Sequence, residues 1–403
     1  MRILIATHHL AIVGGVETYL RAVLPLLAGA GHEIGVLTDS APADGPGGIL
    51  AGIPDAPIWS TAGRPIPALI RDLAGWRPDV VYAQGLADPD LEEALARAFP
   101  AVLFAHNYYG ACISGTKSHA GPDREVCRRS LGPGCLAAYF PRRCGGLNPL
   151  TLRHLYRAER KRQGTLQLYR GVMVASRHMA DEYRRAGVPP DRVWLSPLFP
   201  PGCRPDPDPP RPRASTGRVL MAGRLTRLKG ADHLIEALPR ASERLGRPLT
   251  LVVAGDGPER ARLEQLADRA RLPAEFRGWV SAADRETLTR GADLIAVPSI
   301  WPEPFGLVGI EAGCTGTPAV GYALGGIPDW LVPGVSGESA LGDRPEPGEL
   351  AGAIVRALGD DDHRNRLRRG AWEMAGRFSP EAHLGLLCHA LERAASGTVA
   401  ARV

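Results

Sequence analysis

Short apolar runs alternate with amphipathic helical stretches from the first residues of this chain, and the alternation occurs twice. Candidate strands Arg2–Thr7, Glu33–Thr38, Asp79–Gln84, Ala101–His106 and Gly171–Ser176 occupy roughly the first 200 residues. Between the first two, Val16–Ala28 places Tyr19, Leu20, Val23, Leu26 and Leu27 at the spacing of one helix face. Strands that read as continuous apolar runs are covered on both sides, so the pattern predicts a parallel sheet flanked by helices. Ser196–Gly217 interrupts it with eight prolines in 22 residues and no periodicity, which predicts a linker. The alternation then resumes through Arg218–Gly223, Thr250–Ala254, Glu275–Arg277, Leu294–Pro298 and Pro318–Gly321, separated by helices such as Ala231–Leu245 and Pro258–Arg271. Two α/β sheets joined by one hinge predict a bilobal enzyme with a cleft, its ligands at the carboxyl ends of the strands.

Composition narrows the function classes. A 44% apolar and 23% charged chain is an ordinary globular protein. No stretch approaches 18 consecutive apolar residues, and the apolar run at the N-terminus is too short for a signal peptide, so a cytoplasmic protein is expected. The net charge of +5 over 403 residues is weak support for a polyanion, and nucleic acid is not expected as a partner. Of 48 basic residues only Lys117, Lys161 and Lys229 are lysine.

Chemistry-bearing residues fall on the loops after strands. Gly223-Arg224-Leu225-Thr226-Arg227-Leu228-Lys229-Gly230 carries two cations five apart, Arg224 and Lys229, suited to bracketing a diphosphate with a fork and a point charge. An ordinary solvated basic loop is the competing reading, and the presence of one of only three lysines favours the former. Downstream, Ser299-Ile300-Trp301-Pro302-Glu303-Pro304-Phe305-Gly306 predicts an extended Glu303 before Pro304 and a helix opening near Gly306, whose free N–H groups favour an anion. Glu303 and Glu311 would flank that anion and accept hydrogen bonds from sugar hydroxyls. Gly255-Asp256-Gly257, Gly278-Trp279-Val280 and Gly325-Gly326-Ile327-Pro328-Asp329 are turn signals singly and an ordered set together.

In that order, GRLTRLKG, AGDGPERARLE, FRGWVS, PSIWPEPFGLVGIEA and GGIPDWL resemble the donor-binding domain of retaining glycosyltransferases of family 4, with Glu303-x7-Glu311 as the family's Glu-x7-Glu element. HHLAIVGGVETYL and AHNYYGAC extend the resemblance into the first half. It implies a GT-B fold, two Rossmann-like parallel-sheet domains facing each other across a cleft. Residues 1–196 would bind the acceptor, 197–217 would link, 218–378 would bind the donor, and a helix at about 380–398 would pack back on the first domain. It implies transfer of a hexose from a nucleotide-diphosphate sugar, most often UDP, to a small-molecule or glycan acceptor with its linkage retained, and no cofactor for the chemistry. Arg224 and Lys229 would hold the diphosphate beside Gly223; Glu303 and backbone at Phe305, Gly306, Leu307 and Val308 would meet hexose and phosphate. Glu311 would grip the ribose, and Trp279 and Val280 the base. Gly14 and Gly15 would let backbone approach the donor phosphate, with His106 near the sugar. Gly313-Cys314-Thr315 and Asp329 depart from the family pattern. Rival functions are a sugar-nucleotide epimerase, which releases UDP without a second substrate, and a catalytically silent binding partner.

Four of seven cysteines, Cys112, Cys127, Cys135 and Cys144, fall within 33 residues without a C-x2-C pair. Structural zinc closed by four thiolates, with His119 as a substitute ligand, competes with free thiols and with disulfides. After them, Arg142–Arg170 has eight cations against Glu159 alone, with Leu152, Leu155, Tyr156 and Leu166 as a partial stripe. A helix packed on the first lobe competes there with a peripheral membrane contact or a site for an acceptor phosphate.

Overall fold

The computed structural model describes residues 1–40, 48–119, 125–342 and 344–397. The chain divides into two compact units, one of Met1–Asp123, Cys127–Pro197 and Pro380–Val403, the other of Arg124–Val126 and Leu198–Ser379.

The first unit is a parallel sheet of β1 (Arg2–Thr7), β2 (Glu33–Thr38), β3 (Ile58–Ser60), β4 (Val80–Ala83), β5 (Ala101–Ala105), β6 (Gly171–Val174) and β7 (Val193–Leu195). Their order is β3-β2-β1-β4-β5-β6-β7. Ile3 lies opposite Ile34 on one side and Val80 on the other. Ile3, Leu4, Ile5, Val80, Val81 and Tyr82 have no exposed surface, as expected of strands covered on both faces. Helix starts follow the sequence closely. Asp88 and Asn148 each cap a helix whose next residue is proline, accepting from the N–H two residues on at 2.8 Å. The sequence reading missed β3 and β7, three-residue edge strands too short to show a pattern.

The helix Pro380–Ser396 belongs to this unit and is fixed through a polar chain. His383 Nδ1 lies 2.9 Å from the Pro197 carbonyl, which can only accept, so Nδ1 carries the proton. Neutral Nε2 then accepts from the Tyr19 hydroxyl at 2.8 Å, and the Tyr82 hydroxyl donates to Tyr19 at 2.6 Å.

Two expectations about residues 112–170 change. Structural zinc is not supported: among the described residues no group of three or more His, Cys, Asp or Glu is placed to hold a metal ion. The thiols engage nearby groups instead. Cys112 meets Ser114 Oγ at 3.5 Å and the Lys117 N–H at 3.4 Å, Cys135 Sγ the Ser130 carbonyl at 3.8 Å, and Cys144 Sγ the Ala138 carbonyl at 3.9 Å. All four are free, so the disulfide reading fails as well. Burial, and then the neighbouring cysteines, push the Cys144 thiol up to about 11. The segment also has a small core of its own. Ile113, Leu131 and Tyr139 are buried together, with Cys135, Cys144, Leu152, Leu155 and Tyr156 packed against them. Much of the stripe on Pro149–Thr165 is therefore used inside the unit, and Glu159 and Arg162 of the same helix are buried in a 2.6 Å ion pair. No described helix is long and apolar enough to cross a membrane.

The second unit is a parallel sheet of β8 (Arg218–Ala222), β9 (Thr250–Ala254), β10 (Ala274–Gly278), β11 (Leu294–Val297), β12 (Ala319–Tyr322) and β13 (Gly337–Ala340) in the order β10-β9-β8-β11-β12-β13. Helices Ala231–Leu245 and Pro347–Leu358 bury Leu234, Ile235, Leu238, Leu350 and Ile354 against Val219, Leu251 and Val320. The strand Gly337–Ala340, Gly-Glu-Ser-Ala, has no apolar run and gave no sequence signal. The proline-rich segment is bonded to this unit rather than free. Trp372 Nε1 donates to the Asp206 carbonyl at 2.8 Å. The N–H groups of Thr216 and Gly217 donate to the fully buried Asp293 carboxylate at 2.7 Å.

Burial holds His383 down at about 4, below its ordinary value near 6.5. The unfolded chain therefore takes up a proton as pH falls through 6.5 while the folded unit does not, so stability is lost between pH 6.5 and 4. This side chain should contribute about 3 kcal/mol of that loss. Urea midpoints from pH 7.5 to 4.5 should show a shallower decline in His383→Gln than in the wild type; parallel curves would exclude the assignment.

Candidate functional site

In the second sheet the chain runs outward from β8 to β10 and then returns to the other side of β8 with β11. The loops after β8 and β11 thus leave the sheet at its topological switch point, where open α/β sheets leave a crevice for ligands. Those two loops carry Lys229 and Glu303.

They are held together by backbone. The Ile300 N–H donates to the Leu228 carbonyl at 2.9 Å. Gly230 has φ +65°, and a Cβ there would stand 2.0 Å from the Pro298 carbonyl oxygen, so only glycine lets the first loop come this close. The result is an ion pair of 2.6 Å between Lys229 Nζ and Glu303 Oε1. Ser299 Oγ donates to the same oxygen at 2.6 Å and Trp301 Nε1 at 3.0 Å. Oε1 is thereby saturated, while Oε2 has no partner among the described residues and is open to a ligand hydroxyl. Burial alone would raise the Glu303 carboxyl; the Lys229 charge and the three hydrogen bonds outweigh it and hold the group below its ordinary value. A buried, ionised carboxylate stands beside a cation.

The loop after β12 completes the support. The Gly326 N–H donates to the Glu303 carbonyl at 2.6 Å, and Gly325 (φ +64°) passes so close that a Cβ would lie 2.2 Å from that oxygen. Trp330 Nε1 donates to the Phe305 carbonyl at 2.6 Å. Gly306 then caps the short helix Leu307–Gly313, which contains Val308 and Glu311. Burial raises the Glu311 carboxyl, and Arg285 at 3.7 Å only partly offsets it.

The other expected residues line neighbouring loops. Gly223 donates to the Ala254 carbonyl at 3.0 Å, and Gly255 bridges to Gly278, so the loops after β8, β9 and β10 lie side by side. Trp279 follows with 78% of its surface exposed, next to the half-buried Val280. Arg224 is exposed and makes no ion pair among the described residues, whereas Arg227 reaches Glu259 at 3.4 Å. Lysine scarcity proves a poor marker: Lys117 is buried against Glu182 at 2.7 Å and Lys161 pairs with Glu93 at 2.9 Å, both structural.

The first unit has its own switch point, between β1 and β4. Gly14 caps the helix Gly15–Gly29 after β1. His106 follows β5, and its Nε2 lies 2.8 Å from Oε1 of Gln84, which follows β4. Burial first, and His383 second, lower His106 to about 3, so it is neutral at pH 7. Sequence reasoning missed Gln84, Ser299, Trp301 and Arg285. Ser299 and Trp301 alternate with Glu303, a hint of convergence; Gln84 and Arg285 gave none.

Residues 13–198 match the family model Glycosyltransferase Family 4, and residues 208–374 match Glycosyl transferases group 1. Among curated relatives, a D-inositol 3-phosphate glycosyltransferase of Jonesia denitrificans is 39% identical over 169 residues, 40% of this chain and 39% of that protein. A glycogen synthase of Mycobacterium tuberculosis is 36% identical over 155 residues, 38% and 36% of the two chains. The chain spans about two fifths of the length of the curated relatives it matches. Among solved structures, Anabaena HepE in complex with UDP and glucose superposes with a TM-score of 0.68 at 19% identity, covering 97% of this chain and 99% of that one. Sucrose-phosphate synthase of Thermosynechococcus elongatus gives 0.66 at 18% identity, covering 98% and 100%. The likeness to these structures is one of fold, and the fold is GT-B: two Rossmann-like parallel-sheet units.

Gly325→Ala should lower stability by at least about 2 kcal/mol, through left-handed backbone plus a collision with Glu303. Gly334→Ala, at φ +74° with open space around it, should cost about 1 kcal/mol. Equal urea midpoints for the two would show that the loop can yield at Gly325.

Proposed function

We propose that the protein is a retaining glycosyltransferase that moves a hexose from a UDP-sugar to a glycan or small-molecule acceptor. The observation that carries the reading is the Lys229–Glu303 pair at the switch point of the second sheet, with Oε2 of Glu303 unused. An ionised carboxylate accepts hydrogen bonds from sugar hydroxyls, and its repulsion of phosphate keeps the hexose, not the diphosphate, at that oxygen. The ammonium beside it and the unpaired Arg224 are assigned to the diphosphate, whose charge grows as the glycosidic bond breaks. Glu311 is assigned to the ribose, and Trp279 and Val280 to the base. In the first unit, neutral His106, fixed by Gln84, is assigned to a sugar hydroxyl, and Gly14 and Gly15 to close backbone approach to phosphate. UDP is chosen because the solved relative HepE holds UDP and glucose. Both family-model matches, one in each half of the chain, support the transferase class over an epimerase. A thermal-shift panel of nucleoside diphosphates, followed by detection of a glycosylated product and of its anomeric configuration, tests the proposal. UDP release without any glycosylated product would favour the epimerase.

Lys229→Ala should lower kcat sharply. One charge pair at about 4 Å is worth roughly 4 kcal/mol at an effective dielectric near 20. Allowing for water and Arg224 to fill the gap leaves about 2–3 kcal/mol, on the order of 30- to 150-fold in rate. Glu303, deprived of its cation in the same buried place, should also titrate higher, moving the acid limb of the pH–rate profile upward. Lys161→Ala is the fitting control, because Lys117 is buried in an ion pair and its loss would destabilise the first unit. A Lys229→Ala enzyme within threefold of wild type and with an unmoved acid limb would refute the assignment.

A further inference from the structure

At the opposite end of the second sheet lies a cavity of about 530 Å³ that the transfer chemistry does not use. Its walls come from Asp206–Arg213 ahead of β8, Arg290 ahead of β11, Thr315 ahead of β12, and Arg368 of the helix Asp361–Ala375. Every sheet segment involved precedes its strand, so the cavity sits at the amino ends, away from the loops that carry Lys229 and Glu303.

The charges around it do not balance. Four arginines, Arg211, Arg213, Arg290 and Arg368, face two aspartates, Asp206 and Asp208. Arg290 and Asp206 neutralise each other through two bonds of 2.6 and 2.7 Å. Arg368 is the anomaly: only 8% exposed, it has no carboxylate partner. Its Nε donates to the Gly316 carbonyl at 3.2 Å and its Nη1 to the Arg211 carbonyl at 2.9 Å, leaving Nη2 without a partner among the described residues. Arg213 of the same wall and one further guanidinium group, Arg364, add to the positive charge acting on it. The buried Asp293 carboxylate is taken up by other groups: Oδ2 accepts from Ser215, Thr216 and Gly217, and Oδ1 faces Arg213 at 3.8 Å and Arg364 at 3.7 Å. Burial, then Arg213 and Arg364, press Arg368 down to about 10, so it remains charged at neutral pH. Burying an unpaired cation is costly, and protein interiors ordinarily supply a counter-charge. Arg211, exposed and with no side-chain partner, stands on the same wall.

We propose that this cavity is an anion site that takes the phosphate group of a small metabolite, with Arg368 as its buried anchor and Arg211 as its outer clamp. Planar guanidinium forks suit phosphate oxygens, and the volume falls in the range of small-molecule sites. The site is independent of the donor assignment, because it shares no residue with it.

Isothermal titration of the full chain with inorganic phosphate, at constant ionic strength in chloride, tests this. The background carries Arg224→Ala and Lys229→Ala, so that phosphate at the proposed donor loop does not contribute. One saturable site is expected there, accompanied by a saturable rise in Tm of about 2–4 °C at tenfold Kd. Adding Arg368→Gln should weaken Kd at least about tenfold, the size of one charged hydrogen-bonded contact, and Arg211→Ala about three- to tenfold. Absence of a saturable site overturns the proposal, as does a Kd for Arg368→Gln within twofold of the background. Should Arg368→Gln fail to fold, Arg211→Ala decides by the same twofold criterion, since its side chain supports nothing else and its carbonyl is retained.

Discussion

A buried carboxylate at the carboxyl end of a sheet is costly to keep charged, and the arrangement of the second unit's loops follows from keeping Glu303 ionised there. Desolvation alone would push the proton back on, and a neutral acid would lose the acceptor strength that the site supplies. Lys229 must therefore reach it, so the loop after β8 must lie within van der Waals distance of the loop after β11. That requirement fixes Gly230 against the Pro298 carbonyl and draws in the Leu228–Ile300 hydrogen bond. The loop after β12 must then support Glu303 from the other side, which fixes Gly325. Three loops from three strands are locked by one charge.

The parallel sheet makes this affordable because the strands need nothing from the loops. Val219, Leu251, Leu294 and Val320 are buried between helix layers, so the sheet stands on apolar burial and the strand ends are free to carry polar chemistry. The same division appears in the first unit. Its central strands are largely apolar, and its polar chain from Tyr82 through Tyr19 and His383 to Pro197 fastens a helix that begins at Pro380, far along the chain from the last strand of the unit, Val193–Leu195.

Much of this was legible in the sequence because the signals were local. The apolar runs located ten of the thirteen strands described, and the three that escaped are edge strands of three or four residues, too short to show a period. Glu303 and Lys229 were legible as members of ordered motifs, yet their 2.6 Å contact was not, since 74 residues separate them and only the sheet order brings them together. The cysteine cluster shows the opposite failure. Four cysteines close in sequence suggested a metal, but Cys112, Cys135 and Cys144 meet hydroxyl or carbonyl neighbours, and among the described residues sequence proximity did not become a ligand shell. Lysine scarcity failed similarly. It marked three places where a compact ammonium meets a carboxylate, and two of the three serve the first unit's packing.

Glu303 and Glu311 lie eight residues apart, the first buried and the second half-buried, and their environments pull them in opposite directions. Glu303 has a cation at 2.6 Å and two neutral donors on one oxygen, and is held ionised. Glu311 has only Arg285 at 3.7 Å against its desolvation, and its carboxyl rises. The difference lies in the hydrogen bonds: three short bonds offset desolvation and one loose ion pair does not. A carboxyl left under-compensated gains most from incoming hydroxyl donors, because each bond to the charged form recovers part of what burial removed. On the proposed function, Glu303 is ready before anything binds, whereas Glu311 is completed by what binds. In the proposed reaction that assigns readiness to the sugar that moves and completion to the nucleotide that stays, so that ribose binding and the ionisation of Glu311 reinforce each other.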